Sequence, residues 1–194
     1  QACGGKDTVP DESLVVDKGS KGIQWAVVML EPTAGGAKAA PAAQKISFDQ
    51  KQCLFTSHVL VVTEKSVVEL KNSDTVAHNV NIKAVKNRGI NKTISGGEAI
   101  TWTAEREEKI PVECNVHPWM KGWIVVTDAP YYAVTDAQGH FKIENVPAGS
   151  YKDPYLTMIR LDTLDDQPLG VLFNFGMHGT TLDGDSPMIS VDAP

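Results

Sequence analysis

No stretch of this chain is apolar for long enough to cross a bilayer. The longest uninterrupted run, Trp25 to Leu30, falls far short of the roughly 20 residues a spanning helix needs. Basic charge is not in surplus either. With 18 Lys and Arg against 24 Asp and Glu the net charge is −6, which makes nucleic acid and anionic membrane surfaces poor partners. No segment keeps a helical apolar period between proper start and stop residues, so a helical architecture is not expected. Cysteine is scarce, with only three in 194 residues. No initiating Met is present, and the chain opens Gln1-Ala-Cys-Gly-Gly5. That opening suits a processed export substrate or a trimmed chain, so a periplasmic or otherwise exported setting is expected.

What is present reads as nearly all β. Strand-like runs occur at Ile23–Leu30, Val59–Thr63, Ser66–Lys71, His78–Lys83, Ala99–Ala104, Ile110–Cys114 and Trp123–Thr127. They are rich in Val, Ile, Thr and Trp and are bounded by Gly, Asn, Asp and Pro. A hydrophobic fraction of 42% suffices for an ordered core. The length suits one domain, or one domain with a small module. Strands this short at this spacing predict a β-sandwich. Residues 34–44, rich in Ala and Gly, read as a loop or linker.

The chemistry concentrates in Cys114-Asn-Val-His117-Pro-Trp-Met120. A thiolate, an imidazole and a thioether stand three residues apart in turn. Soft sulfur ligands hold Cu(I) and imidazole suits Cu(II), so a mixed set serves both oxidation states of one copper ion. Cys and His three apart reach one metal from a tight loop between strands. A further imidazole has to come from elsewhere, and His78, in Asn72-Ser-Asp-Thr-Val-Ala-His78-Asn79-Val80, offers it. Taken singly, Cys114 reads as a small buried apolar residue, His117 as a loop residue and Met120 as core filler. The combination points to a metal.

The ligand pattern resembles the cupredoxins, the type 1 blue-copper family, and its short loop is most similar to that of amicyanin and plastocyanin. The resemblance implies an all-β, Greek-key cupredoxin-like sandwich over residues 45–128. It implies His78, Cys114 and His117 as equatorial copper ligands and Met120 as the weak axial one. It implies Asn79 as the residue tying the two ligand segments together. One-electron transfer to a redox protein, a cytochrome or an oxidoreductase, is the expected function, and no catalytic residues are expected. Electrons would leave by the edge of His117, with Pro118 and Trp119 in a small apolar docking patch. A binuclear copper centre would need a second Cys in the loop, and none is there. A Cys–His nucleophile would need further partners that nothing flags. The alternative function is a non-redox β-sandwich module binding carbohydrate or protein.

Other segments surround that core. Residues 1–13 read as a flexible tail and 14–33 as flanking strands. Residues 131–152, with Thr135-Asp-Ala-Gln-Gly-His-Phe and the following Ile143-Glu-Asn-Val-Pro-Ala-Gly-Ser-Tyr151, resemble the last hairpin of a transthyretin-like or carboxypeptidase-regulatory-like sandwich. Residues 14–32 would then pair with it, or else extend one continuous sandwich. Over residues 20–152 the chain is similar to exported proteins of planctomycete-type bacteria. Residues 153–194 are of uncertain role. Asn174-Phe-Gly-Met-His178-Gly-Thr180 resembles a fragment of neutral ceramidase, but a lone His builds no catalytic zinc site. Residues 155–178 are therefore expected as two strands around a turn at Asp162–Pro168, with His178 structural. Cys3 and Cys53 remain. They pair as a disulfide, or Cys3 carries a lipid as in bacterial lipoproteins, or it is an idle thiol. Cys53 and His58 stand five apart, on opposite faces of a regular strand.

Overall fold

The computed structural model describes Cys3, residues 14–30 and 42–146, and the backbone of residues 157–162 and 168–174. Thirteen strands and no helix run through the described residues. They are β1 (Val27–Met29), β2 (Lys45–Lys51), β3 (Leu54–Phe55), β4 (Val59–Thr63), β5 (Val67–Asn72), β6 (His78–Ile82), β7 (Ile90–Ile94), β8 (Ala99–Thr103), β9 (Glu108–Glu113), β10 (Lys121–Thr127), β11 (Tyr132–Val134), β12 (Thr157–Asp162) and β13 (Pro168–Asn174). Among the described residues no helix is long and apolar enough to cross a membrane. The chain divides into two compact units, Gln1–Met29 with Lys38–Asn145, and Leu30–Ala37 with Val146–Pro194.

The first unit is a β-sandwich. One sheet has the order β4-β10-β9-β6-β7 and the other β3-β2-β5-β8. Alternation drives it: in β5, Val68, Leu70 and Asn72 are buried while Glu69 and Lys71 face solvent. Both sheets send their buried positions into one core, Phe48, Val68, Leu70 and Trp102 from one, Val62, Val80, Ile82, Ile110, Val112, Ile124 and Val126 from the other. Chain neighbours β4 and β5 lie in opposite sheets, and β4 instead pairs in parallel with β10.

Strand β4 stands at the edge of its sheet yet is buried throughout its length. Its outward residues Val59 and Val61, with Val125, are covered by Trp25, Val27, Met29, Tyr132 and Val134. Apart from Trp25, which precedes it, these belong to the β1–β11 ribbon, in which Val27, Val28 and Met29 pair with Val134, Ala133 and Tyr132. Of the segments 14–32 and 131–152, Val27–Met29 thus pairs with Tyr132–Val134, and these residues lie in the same compact unit as the sandwich. The expected strand over Ile23–Leu30 shortens to three residues, because Trp25 adopts φ 68°, outside the extended region. The hairpin arm expected after Thr135 is a turn about Asp136 and then strand-free chain through Val146. The Asp136 carboxylate takes the amides of Gln138 and His140 there. Strands β2, β3, β7 and β11 were not apparent as apolar runs, since their outward residues are polar or they are two or three residues long.

In the second unit β12 and β13 pair antiparallel, Met158 opposite Phe173 and Ile159 opposite Leu172, as the expected two-strand arrangement requires. Residues 163–167 within the expected Asp162–Pro168 turn, His178, and residues 1–2, 4–13 and 31–41, which take in most of the expected tail over 1–13 and loop over 34–44, lie outside the described residues.

Cys3 and Cys53 form a disulfide across a separation of 50 residues. Closing a loop of that length is worth about 4 kcal/mol by the chain-entropy relation. It also corrects two expectations: a sulfur already bonded to another sulfur carries no thioether-linked lipid, and Cys3 is not an idle thiol.

Candidate metal centre

Three strands of one sheet end at the same place. In β6 the inward residues are Val80 and Ile82, and His78 at the head of the strand shares their parity. In β9 the inward residues are Ile110 and Val112, and Cys114, one residue beyond the strand, continues the series. In β10 they are Ile124 and Val126, and Met120, one residue before the strand, continues it backwards. Alternation alone therefore brings His78, Cys114 and Met120 to the inner face at the end of the sandwich. All three are buried, to 0%, 2% and 1% exposure. His117 sits in the loop between β9 and β10 and is only half buried. That loop is tight: the Cys114 amide donates to the Met120 carbonyl at 3.0 Å and the Met120 amide to the His117 carbonyl at 2.9 Å.

The donor atoms of His78, Cys114 and His117 all lie within 4.8 Å of one another. The two Nδ1 atoms are 3.0 Å apart, and Cys114 Sγ is 3.7 Å from His117 Nδ1. Two nitrogens about 2.0 Å from one ion and about 100° apart stand about 3.1 Å from each other, and a nitrogen and a thiolate sulfur in a trigonal plane about 3.7 Å. Both measured pairs thus have the spacing of ligands to one metal, and the His78 and Cys114 donors lie within 4.8 Å of each other. One thiolate and two imidazoles, with the buried Met120 at the end of the same loop, form a donor set that suits copper in both oxidation states.

Hydrogen bonds hold the donors in place. Asp74 Oδ2 lies 2.7 Å from His78 Nε2. Burial pushes the Asp74 carboxyl up, but the Cys53 amide, the His78 ring and the Gln52 amide more than offset it and leave its pKa lowered. An ionised carboxylate only accepts, so His78 carries its proton on Nε2 and presents a bare Nδ1 to the site. The same carboxylate takes the amides of Gln52 at 2.6 Å and Cys53 at 2.9 Å. Those residues form the β2–β3 turn, both at positive φ, 55° and 58°, where a non-glycine residue costs roughly 1–2 kcal/mol. Asp74 was not singled out in the sequence, although an acid four residues before a candidate His ligand is a readable signal.

Asn79 connects the two ligand segments. Its amide points at Cys114 Sγ at 3.4 Å, and its side-chain oxygen accepts from the Asn115 amide at 3.2 Å. Its Nδ2 donates to Asn91. His117 is held neutral: burial lowers its pKa, the neighbouring His78 lowers it further, and Asp74 opposes them in part. A neutral imidazole is the metal-binding form. The Trp119 ring lies 5.2 Å from the His117 ring, and its Nε1 donates to the Cys53 carbonyl at 3.0 Å. Pro118 is exposed, as is Val116. Cys53 belongs to the disulfide and shares no site with His58.

No family model matches the chain, and no curated protein does. Among solved structures, the copper-containing nitrite reductase from Thermus scotoductus SA-01 matches with a TM-score of 0.40 and 24% identity over 50% of this chain. The chain spans only 25% of that enzyme. A purple cupredoxin from Nitrosopumilus maritimus matches at 0.36 and 21% identity, over 44% of this chain and 100% of its own. A reduced Cu(I) form of an amicyanin mutant matches at 0.40 and 22% identity, over 52% of this chain and 98% of its own. At this identity and overlap these likenesses carry no residue role across, and the candidate centre stands on the geometry of this chain.

Proposed function

We propose that this chain is an exported one-electron carrier with a single type 1 copper ion held by His78, Cys114 and His117. Met120, buried at the end of the same loop, would be a further and weaker ligand. The observation that carries the reading is the convergence of one thiolate and two imidazole donors within 4.8 Å, each positioned by a different segment of one sheet. Bound copper supplies reversible Cu(I)/Cu(II) chemistry. The protein's own work is to hold the donors where both states are acceptable. Asp74 fixes the His78 tautomer, Asn79 locks the Cys114 loop, and core side chains surround the sulfur.

His117 is the ligand that reaches toward solvent. Val116 and Pro118, both exposed, flank it, and Trp119 lies against its ring. This small apolar patch suits a weak encounter with a redox protein, a cytochrome or an oxidoreductase. No catalytic residue is assigned, and the chain is proposed as a carrier, not an enzyme.

The test is a visible spectrum of the copper-loaded protein and of Cys114→Ser. Type 1 coordination gives an intense thiolate-to-copper band, which the serine variant should lose while it keeps its β circular dichroism. A loaded wild type without the band, or a Cys114→Ser protein that keeps it, removes the thiolate from the centre. The first result would favour a non-redox binding module instead.

A further inference from the structure

A second group of soft donors adjoins the first. The Cys3 and Cys53 sulfurs and a ring nitrogen of His78 also lie within 4.8 Å of one another. Cys53 is fixed from two sides, its amide on Asp74 at 2.9 Å and its carbonyl taking Trp119 Nε1–H at 3.0 Å. His78 Nε2 and the Cys53 amide meet on the same oxygen, Asp74 Oδ2. His78 thus has two sides, Nδ1 toward His117 and Nε2 toward the turn that carries Cys53. Cys53 is buried, while Cys3 is half buried, so a reductant has one sulfur to approach.

We propose that Cys3 and Cys53 in their dithiol form make, with His78, a second soft-metal site that competes with the Cys114 centre for the same imidazole. The proposal rests on the reading of His78 as a ligand of that centre. Joined sulfurs are not thiolates, so the site is closed while the disulfide stands. A dithiol donor opens it: the donor becomes a disulfide, and its two electrons and two protons pass to Cys3 and Cys53. A Cu(I) ion then displaces the thiol protons, and the His78 ring moves its proton from Nε2 to Nδ1, so that two thiolates with one imidazole form a set that favours Cu(I) while Nδ1 is no longer bare for the first centre. The hydrogen bonds of the Cys53 amide and carbonyl do not depend on the S–S bond, so they stay to hold that ligand beside His78. Because the imidazole is shared, metal at either site weakens binding at the other by the same factor. An ion held by the cysteine pair is one ring away from the first centre, and reduction of the pair becomes a gate on copper loading.

The experiment uses the full chain carrying Cys114→Ser, which disables the first centre and leaves Cys3 and Cys53 as its only cysteines. Cu(I) affinity is measured anaerobically by competition with a chromophoric Cu(I) chelator, before and after treatment with a water-soluble phosphine. The phosphine leaves as its oxide, water supplying the oxygen and the two thiol protons. Reduction should tighten Cu(I) binding at least about tenfold, with one ion per chain, as two added thiolates require. Alkylating the two thiols after reduction, with no further substitution, should remove the gain, and so should His78→Ala. A change smaller than about twofold, or a gain that survives alkylation, overturns the site. A gain that survives His78→Ala overturns the shared imidazole. The parent reading fails separately: it falls if disulfide-intact wild type loaded with copper lacks the thiolate band, a result this competition does not depend on.

Discussion

Replacing Asp74 by Ala should cost both stability and metal affinity, and the two losses can be worked out separately. The carboxylate accepts three hydrogen bonds, from His78 Nε2, Gln52 N and Cys53 N. The His78 ring is fully buried, so its Nε2–H would be left without a partner, at about 1–3 kcal/mol. The Cys53 amide loses a net bond worth about 1 kcal/mol. The Gln52 amide belongs to an exposed residue and finds water at little cost. The sum is about 2–4 kcal/mol, a large part of the roughly 5–15 kcal/mol that holds a domain together. Urea unfolding of the metal-free protein should show it as a lower midpoint with an unchanged slope. With no acceptor at Nε2 the ring can place its proton on Nδ1, the nitrogen that faces His117. Copper affinity, measured by chelator competition, should then fall about 10–100-fold. A stability loss under about 0.5 kcal/mol, within the range of ordinary surface changes, together with unaltered affinity, would refute both the tautomer assignment and the role of the carboxylate.

Gly96→Ala should also reach the site. A Cβ there would meet the Asp74 carbonyl oxygen at 2.6 Å and the Thr75 backbone at 2.7 Å, so about 1–3 kcal/mol of strain and weaker copper binding are expected in the same unfolding and competition assays. Gly97→Ala is the control: its φ is 81° with no atom within 4 Å of the added carbon, so it should cost about 1–2 kcal/mol of backbone strain and leave copper affinity unchanged. Metal-free stability should fall as pH drops below 6.5. The folded His117 has a lowered pKa, so the unfolded chain takes up that proton first; the loss ceases once pH passes below the folded value. Asp74 and Glu108, both lowered, contribute stability that is present above their ordinary carboxylate values and disappears as pH falls through their folded ones. Urea midpoints between pH 3 and 8 check both windows, and a flat profile contradicts them. Trp119→Glu should slow electron exchange by putting a carboxylate beside the His117 ring, while the visible band persists; an unchanged exchange rate would place the electron exit elsewhere.

The residues by themselves settled the class of structure and named the candidate donors. Period-two alternation in Val67-Val-Glu-Leu-Lys-Asn72 specifies a strand with one buried face, because successive side chains must point to opposite sides. The same rule, run past the ends of β6, β9 and β10, aims His78, Cys114 and Met120 inward. The seven residues Cys114–Met120 name a soft, mixed ligand set because thiolate and imidazole differ in chemistry wherever they stand. What they do not contain is distance. That His78 and His117 bring their nitrogens to 3.0 Å depends on β6 and β9 being neighbours in a sheet, with Asn81 opposite Glu113, and pairing across more than 30 residues leaves no local trace. The four-residue spacing of Asp74 and His78 is legible in the sequence, but that one carboxylate serves a buried ring and a turn 21 residues away at once is a property of the fold alone. The Cys3–Cys53 choice was open in the sequence because a thiol, a lipid anchor and a disulfide share the same residue. The fold decided it by bringing the two Cα atoms to 5.5 Å, inside the narrow range a disulfide can bridge.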